Sequence, residues 1–377
     1  MLGPDPRSTL HSVSNLAYLL HDQGKLIDEK EPLYRRALQY QEDVLGPNHP
    51  KTLISVGNLA AFLHLQGKLG EAEPLYRRAL QGQEQQLGPN DPSTLTSVNN
   101  LATLLQDQGK FHEAEPLSRR ALQGQEEQLG PNHPLTLISV TNLAYILHDQ
   151  GKFDEAEPLY RRALQGEEEQ LGPKHLSTLI SVDSLAYLLK DQGKLDEAEL
   201  FFRRVLEGKE GQLGPNHAST LISVSNLAVL LQDQGKLDEA EPLYRRALQG
   251  KEERLGPNDP STLISVGNLG DLLHTRGKLD EAEPLCRRAM EGQEKQLGRG
   301  HRDTLISVTN LAELLKSQGK LDEAEPFCRR ALQGHEKLQG PDHPETVFCA
   351  SKLAKLLKAN GKLGEAQLHG RPRCSKA

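Results

Sequence analysis

The chain has 377 residues, 45 basic and 52 acidic, giving a formal charge of −7. The charges are interspersed, so no sustained basic block offers a general surface for nucleic acid or a membrane, and no run of 18 apolar residues suits a transmembrane helix. Four cysteines do not make a secreted disulfide framework. The opening Met1-Leu2-Gly3-Pro4 stretch has neither the basic region nor the apolar core of a signal peptide, so the cytoplasm is the expected location.

Read from the start, residues 1–45 form an atypical first repeat or an N-terminal cap. Ile27 reads as an insertion, and Lys30 stands where later units have alanine. A chain opening within the repeated phrase, at Leu2-Gly3-Pro4, is expected to be a piece of a longer array. Residues 46–338 form seven regular repeats. Their opening threonines fall at Thr52, Thr94, Thr136, Thr178, Thr220, Thr262 and Thr304, a constant step of 42 that continues to Thr346. Residues 339–377 are a truncated ninth repeat or a C-terminal cap. Its first helix is expected near Glu345–Ala359, and Lys352, Lys355 and Lys358 turn one side polar.

Each unit carries two apolar patterns of helical period. Leu95, Val98, Leu101, Ala102 and Leu105 share one helix face, and Ala114, Leu117, Ala121 and Leu122 belong to a second helix. Gly109 suits the C′ position between them. Pro116 is expected close to the first turn of the second helix, and Gly130-Pro131 with His133-Pro134 ends it. One such hairpin cannot bury its own apolar face, so neighbours must cover it. The fold class is therefore an all-α solenoid with a 42-residue period.

Leu101, Ala102, Leu105, Gly109, Phe111, Ala114 and Ala121 fall in the order and spacing of the tetratricopeptide repeat. The phrases "EAEPLYRRAL" and "LGPNHP" resemble the repeats of kinesin light chains, and similar repeats occur in nephrocystin-3-like proteins and multidomain signalling ATPases. The resemblance implies a right-handed α-solenoid of tetratricopeptide hairpins. It implies a non-catalytic scaffold that binds an extended peptide in a concave groove, as a kinesin-light-chain-like cargo adaptor associated with the cytoskeleton. The alternative is a repeat-sensor fragment of a larger signalling ATPase. No long heptad segment of the kind that joins a light chain to its heavy chain is present, which leaves kinesin heavy chain open as a partner.

Catalytic and cofactor motifs are missing. Each Gly-Lys pair lacks the spacing of a P-loop, and neither H-E-x-x-H nor G-x-S-x-G occurs. The expectation is no enzyme, no cofactor and no metal. His49, His133, His175 and His217 recur in inter-unit loops, one per repeat, which suits loop hydrogen bonds better than a metal site. His21, His64, His148 and His274 lie in first helices, where they suit polar contacts to a peptide. Cys286 and Cys328 replace tyrosine and read as buried small hydrophobes. Arg77 and Arg78 either belong to surface pairs such as Glu73 with Arg77 or grip an acidic partner. Gly82, Gly124 and their equivalents inside second helices read as either an inherited weakness or a slight bend.

The resemblance places the first helix of each pair on the groove. Asn58, Asn100, Asn142, Asn226, Asn268 and Asn310 then form a column able to donate to and accept from a peptide backbone, or to bridge adjacent helices. Ser184 and Lys352 interrupt it. A second, variable column contains Tyr145 and Tyr187, expected as apolar anchors, then Asp271 and Glu313, expected to attract a basic portion of the peptide.

Overall fold

The computed structural model describes residues 27–369, and these form seventeen α-helices. The second helix of each unit is α1 (Ile27–Leu45), α3 (Leu69–Leu87), α5 (Phe111–Leu129), α7 (Phe153–Leu171), α9 (Leu195–Leu213), α11 (Leu237–Leu255), α13 (Leu279–Leu297), α15 (Leu321–Gln339) and α17 (Leu363–His369). The first helices are α2 (Pro50–Leu65), α4 (Pro92–Asp107), α6 (Pro134–Asp149), α8 (Leu176–Asp191), α10 (Ala218–Asp233), α12 (Pro260–Thr275), α14 (Arg302–Ser317) and α16 (Pro344–Ala359). The architecture is all-α, a solenoid of paired hairpins. Two compact units divide between Leu188 and Leu189, inside α8.

The inter-unit loop sets the start of every first helix. Nδ1 of His49, His133, His175, His217, His301 and His343 accepts a backbone N–H two residues on, at 3.2–3.3 Å. Asp91 and Asp259 do the same with a carboxylate oxygen, at 2.8 Å. These are side-chain N-caps, which satisfy donors that the helix leaves unpaired. The opening threonine ties the loop down from the other side, as Thr136 Oγ1 donates to the Gly130 carbonyl at 2.9 Å. At the far end, Gly109 has φ +72°. There Lys110 N–H reaches back to the Leu105 carbonyl at 2.8 Å, the glycine closure expected from the sequence.

Packing uses the small residues as anticipated. Ala102, Ala114 and Ala121 are fully buried beside Leu95, Val98, Leu101 and Leu105. The glycine inside α3, α5, α7, α11, α13 and α15 has a steric cause. A Cβ on Gly124 would lie 2.7 Å from Cδ1 of Leu95, and one on Gly82 would lie 2.5 Å from Cδ2 of Leu53. These glycines let the leucine of the first helix nest against the second helix, and neither an inherited weakness nor a bend is needed to explain them.

Two other expectations change. Pro116 is the sixth residue of α5 and lies beyond its first turn. The lost hydrogen bond falls on an exposed flank, where His112 and Pro116 both face solvent. Helix α1 begins at Ile27 and has the same 19 residues as the other full-length second helices, so Ile27 takes the usual first position and the extra residue precedes it. The first helix of residues 1–45, with His21, and the tail beyond 369 lie outside the described residues.

Candidate functional site

The first-helix face carries two parallel stripes. Ile54, Ile138, Ile180, Ile222, Ile264 and Ile306 are each 40–58% exposed although apolar. Each lies four residues before a position of the asparagine column, hence on the same side of its helix. Asn58 and Asn100 are exposed, and Asn142, Asn226, Asn268 and Asn310 are half-buried. Among the described residues none of these six amides bonds to another part of the chain, so they do not bridge helices.

In the second unit the stripes meet at a furrow of about 140 Å³ between α12 and α14. Ile264, Asn268, Ile306 and Asn310 wall it, with Asp303 as its one charged lining residue and the buried Gln293 of α13 and Ser307 completing it. Gln293 is 2% exposed and its Oε1 has no hydrogen-bond partner.

The residues one and two repeats before Gln293 are Lys251 and Lys209. Both are buried. Lys251 Nζ donates to Ser265 Oγ at 2.8 Å and Lys209 Nζ to Ser223 Oγ at 2.9 Å. Among the described residues neither ammonium has a carboxylate within ion-pairing distance. Burial pulls the Lys251 pKa down, with Asp259 acting weakly in the other sense. In the first unit the equivalent residues are Gln41, Gln83, Gln125 and Glu167, and burial pushes the Glu167 pKa up. This polar row between successive hairpins was missed in the sequence because its residues differ from repeat to repeat. The isoleucine stripe was missed because it lies off the buried face, although its recurrence two residues after the threonine was there to read.

The variable column is partly occupied by the chain itself. Tyr145 is half-buried, edge-on to Tyr160 at 5.4 Å between centroids, and its hydroxyl bonds to Ser184. Tyr187 is 38% exposed. Asp271 accepts from Gln232 Nε2 at 2.8 Å. Glu313 lies 3.3 Å from Lys316 and 3.9 Å from Lys352.

The first-helix histidines are spent between repeats: His64 Nε2 lies 2.6 Å from Asp107 Oδ2, and His274 Nε2 lies 2.8 Å from Ser317 Oγ. The paired arginines are spent as well. Arg77 holds Glu73 and Glu113, both at 2.9 Å. Arg78 holds the Pro47 carbonyl at 3.0 Å and Glu42 at 2.6 Å. Cys286 and Cys328 are buried free thiols, pushed up by burial to about 12 and about 11. Among the described residues no three His, Cys, Asp or Glu side chains gather into a metal-binding group. No helix among them is long and apolar enough to cross a membrane.

Hairpins of this length and packing define a helical-repeat interaction module. The family model for the tetratricopeptide repeat matches seven overlapping segments, 7–85, 54–115, 93–166, 135–211, 216–295, 267–325 and 303–371. The chain belongs to the tetratricopeptide repeat family. No curated protein matches it.

Among solved structures, it is similar to nearly identical TPR-like repeats from Podosopora anserina assigned to a kinesin light chain. That match has 28% identity and a TM-score of 0.51, over 55% of this chain and 97% of that one. The apo quorum sensor NprR of B. thuringiensis matches at 15% identity and a TM-score of 0.64, over 96% of each chain. A signal transduction ATPase with numerous domains and a tetratricopeptide repeat sensor, from Pyrococcus horikoshii, matches at 15% identity and a TM-score of 0.60. That match covers 92% of this chain and 53% of the ATPase. At 15% the likeness is one of fold.

Proposed function

We propose that the first-helix face of each unit binds an extended peptide, its main chain held by the asparagine amides and its side chains seated between the isoleucines. The furrow between α12 and α14 carries this reading. It sets two unpartnered amides, Asn268 and Asn310, and the orphaned carbonyl of Gln293 beside exposed apolar side chains. A buried polar atom without a partner costs about 1–3 kcal/mol, and an incoming amide N–H would relieve that cost.

Adjacent packed helices lie about 8–10 Å apart, and an extended chain advances about 3.3 Å per residue. One repeat therefore reads about three peptide residues. In the second unit Asp271 and Glu313 already have partners within the chain, whereas the ammonium groups of Lys209 and Lys251 have only serine hydroxyls. An acidic peptide side chain would pair with these ammonium groups, while Asp303 in the furrow between α12 and α14 would take a basic one, as expected from the variable column. Tyr187, 38% exposed, is the more accessible aromatic ring in the first unit, and Tyr145 can offer only its ring edge.

The test is selection from a displayed peptide library against the full chain, the Asn268→Ala/Asn310→Ala variant and Lys251→Gln. The expected result is a set of extended peptides lost with the asparagines, whose acidic residue is no longer selected with Lys251→Gln. The same set recovered from all three proteins would refute the assignment of the face.

Both a cargo adaptor and a sensor would use such a face. The extent of the overlap favours the sensor: the NprR and ATPase-sensor folds align over more than nine tenths of this chain, and the kinesin-light-chain repeats over 55%. A sensor arm should change the state of an attached domain when the peptide binds. A cargo adaptor in the cytoplasm, beside the cytoskeleton, should instead co-purify with a motor. Affinity purification from native cells separates the two.

A further inference from the structure

Two departures from the repeat fall on one cavity. It has a volume of about 480 Å³ and lies between the loop joining α13 to α14 and helix α15, lined by Arg299, Gly300, Arg330, Gln333, Gly334 and Lys337. The first departure is Arg299. The equivalent position is proline in the other described loops, from Pro47 and Pro89 through Pro257 to Pro341. The second is Lys337, where α5, α7 and α11 have Glu127, Glu169 and Glu253, α3 and α9 have Gln85 and Gly211, and α13 alone shares the lysine, as Lys295. Those glutamates accept from a glutamine one turn earlier, at 2.9, 3.0 and 2.9 Å. Both changes move the local charge toward positive.

The neighbouring ion pairs do not absorb the change. In other repeats one glutamate serves one arginine, as in Arg120 with Glu84 at 2.7 Å and Arg246 with Glu210 at 2.6 Å. Here Glu294 is shared by Arg299 and Arg330, each at 2.8 Å. Among the described residues Lys337 has no ion-pair or hydrogen-bond partner. No carboxylate lines the cavity, so three cationic groups stand against one anionic group. Arg299 meets Glu294 through Nε, which leaves its two terminal nitrogens free to donate.

We propose that this cavity is a binding site for a phosphate monoester dianion. A surplus of two positive charges matches the roughly −1.5 to −2 charge of such a group at neutral pH. Guanidinium edges pair two N–H donors with two oxygens, and a lysine adds a point charge. The volume exceeds that of a bare phosphate and leaves room for the ester carbon.

The full chain is titrated at low ionic strength with inorganic phosphate, O-phospho-L-serine and vesicles containing phosphatidate. The same probes are titrated into Arg299→Pro/Lys337→Glu, which places the proline of the other described loops and the glutamate of α5, α7 and α11, and whose fold is checked by circular dichroism. The expected result is binding of a phosphate-bearing probe that weakens about tenfold in the double variant and falls from pH 8 to pH 5, through the second phosphate pKa of about 6. Preference for the soluble serine ester or for the vesicles identifies the source of the group, provided that the variant weakens that binding. Equal binding by the two proteins, affinity independent of pH, or no binding of any probe overturns the proposal.

Discussion

Gly124 and Gly57 both sit in the interior of helices, yet a methyl group added at each should act with opposite sign. Helix propensity favours alanine over glycine by about 1 kcal/mol. At Gly57 nothing lies within 4 Å of the added carbon, so Gly57→Ala should raise the urea midpoint. At Gly124 the new carbon meets both Leu95 methyls at 2.7 Å, and Leu95 is fully buried. Overpacking of this kind costs about 1–3 kcal/mol, so Gly124→Ala should lower the midpoint despite the better propensity. A higher midpoint for Gly124→Ala would remove close nesting as the reason for these glycines. The asparagine column was legible in the sequence because it repeats. What surrounds each amide was not, since Ser184 bonding to Tyr145 and Lys352 approaching Glu313 depend on contacts between repeats.

At the scale of a helix, the second helices are linked to the hairpins on either side by charge. Glu73 receives Arg77 of its own helix at 2.9 Å and Lys110 of the next hairpin at 2.8 Å, while Arg77 reaches on to Glu113. Lys110 first, then Arg77 and Gln108, hold Glu73 down at about 2. Lys152 does the same for Glu115 and Lys320 for Glu283, each to about 2. A folded-state pKa below the unfolded value gives stability that is present above about pH 4.5 and lost as pH falls toward 2. The chain should therefore lose stability steadily across that window. Glu73→Gln should flatten this acid limb, and the loss at pH 7 should be at most about 1 kcal/mol because its partners are largely exposed. Urea denaturation at several pH values measures both, and an unchanged acid limb in the variant would discount the ladder. The pair within one helix could be read from its four-residue spacing. The link to Lys110 could not, because a separation of 37 residues becomes adjacency only once the hairpins are stacked.

Across the whole molecule, the repeat period made the architecture legible, since a hairpin with one uncovered apolar face implies the neighbour that covers it. It did not show where the chain divides, because the residues on either side of Leu188 and Leu189 repeat like all the others. Stability in such a chain is approximately a sum of hairpin terms and terms between nearest neighbours. A defect should then be felt locally. Leu227 of α10 is 1% exposed, and Leu227→Ala should cost about 2–5 kcal/mol through lost burial and a cavity. Followed by hydrogen exchange, the variant should lose amide protection in α9, α10, α11 and α12 of the second unit. Helices α4, α5 and α6 of the first unit should exchange as in the parent chain, since loss of protection declines with distance along a nearest-neighbour stack. An equal loss in all helices would instead mean that the two units unfold as one cooperative body, and the division inside α8 would then have no energetic meaning.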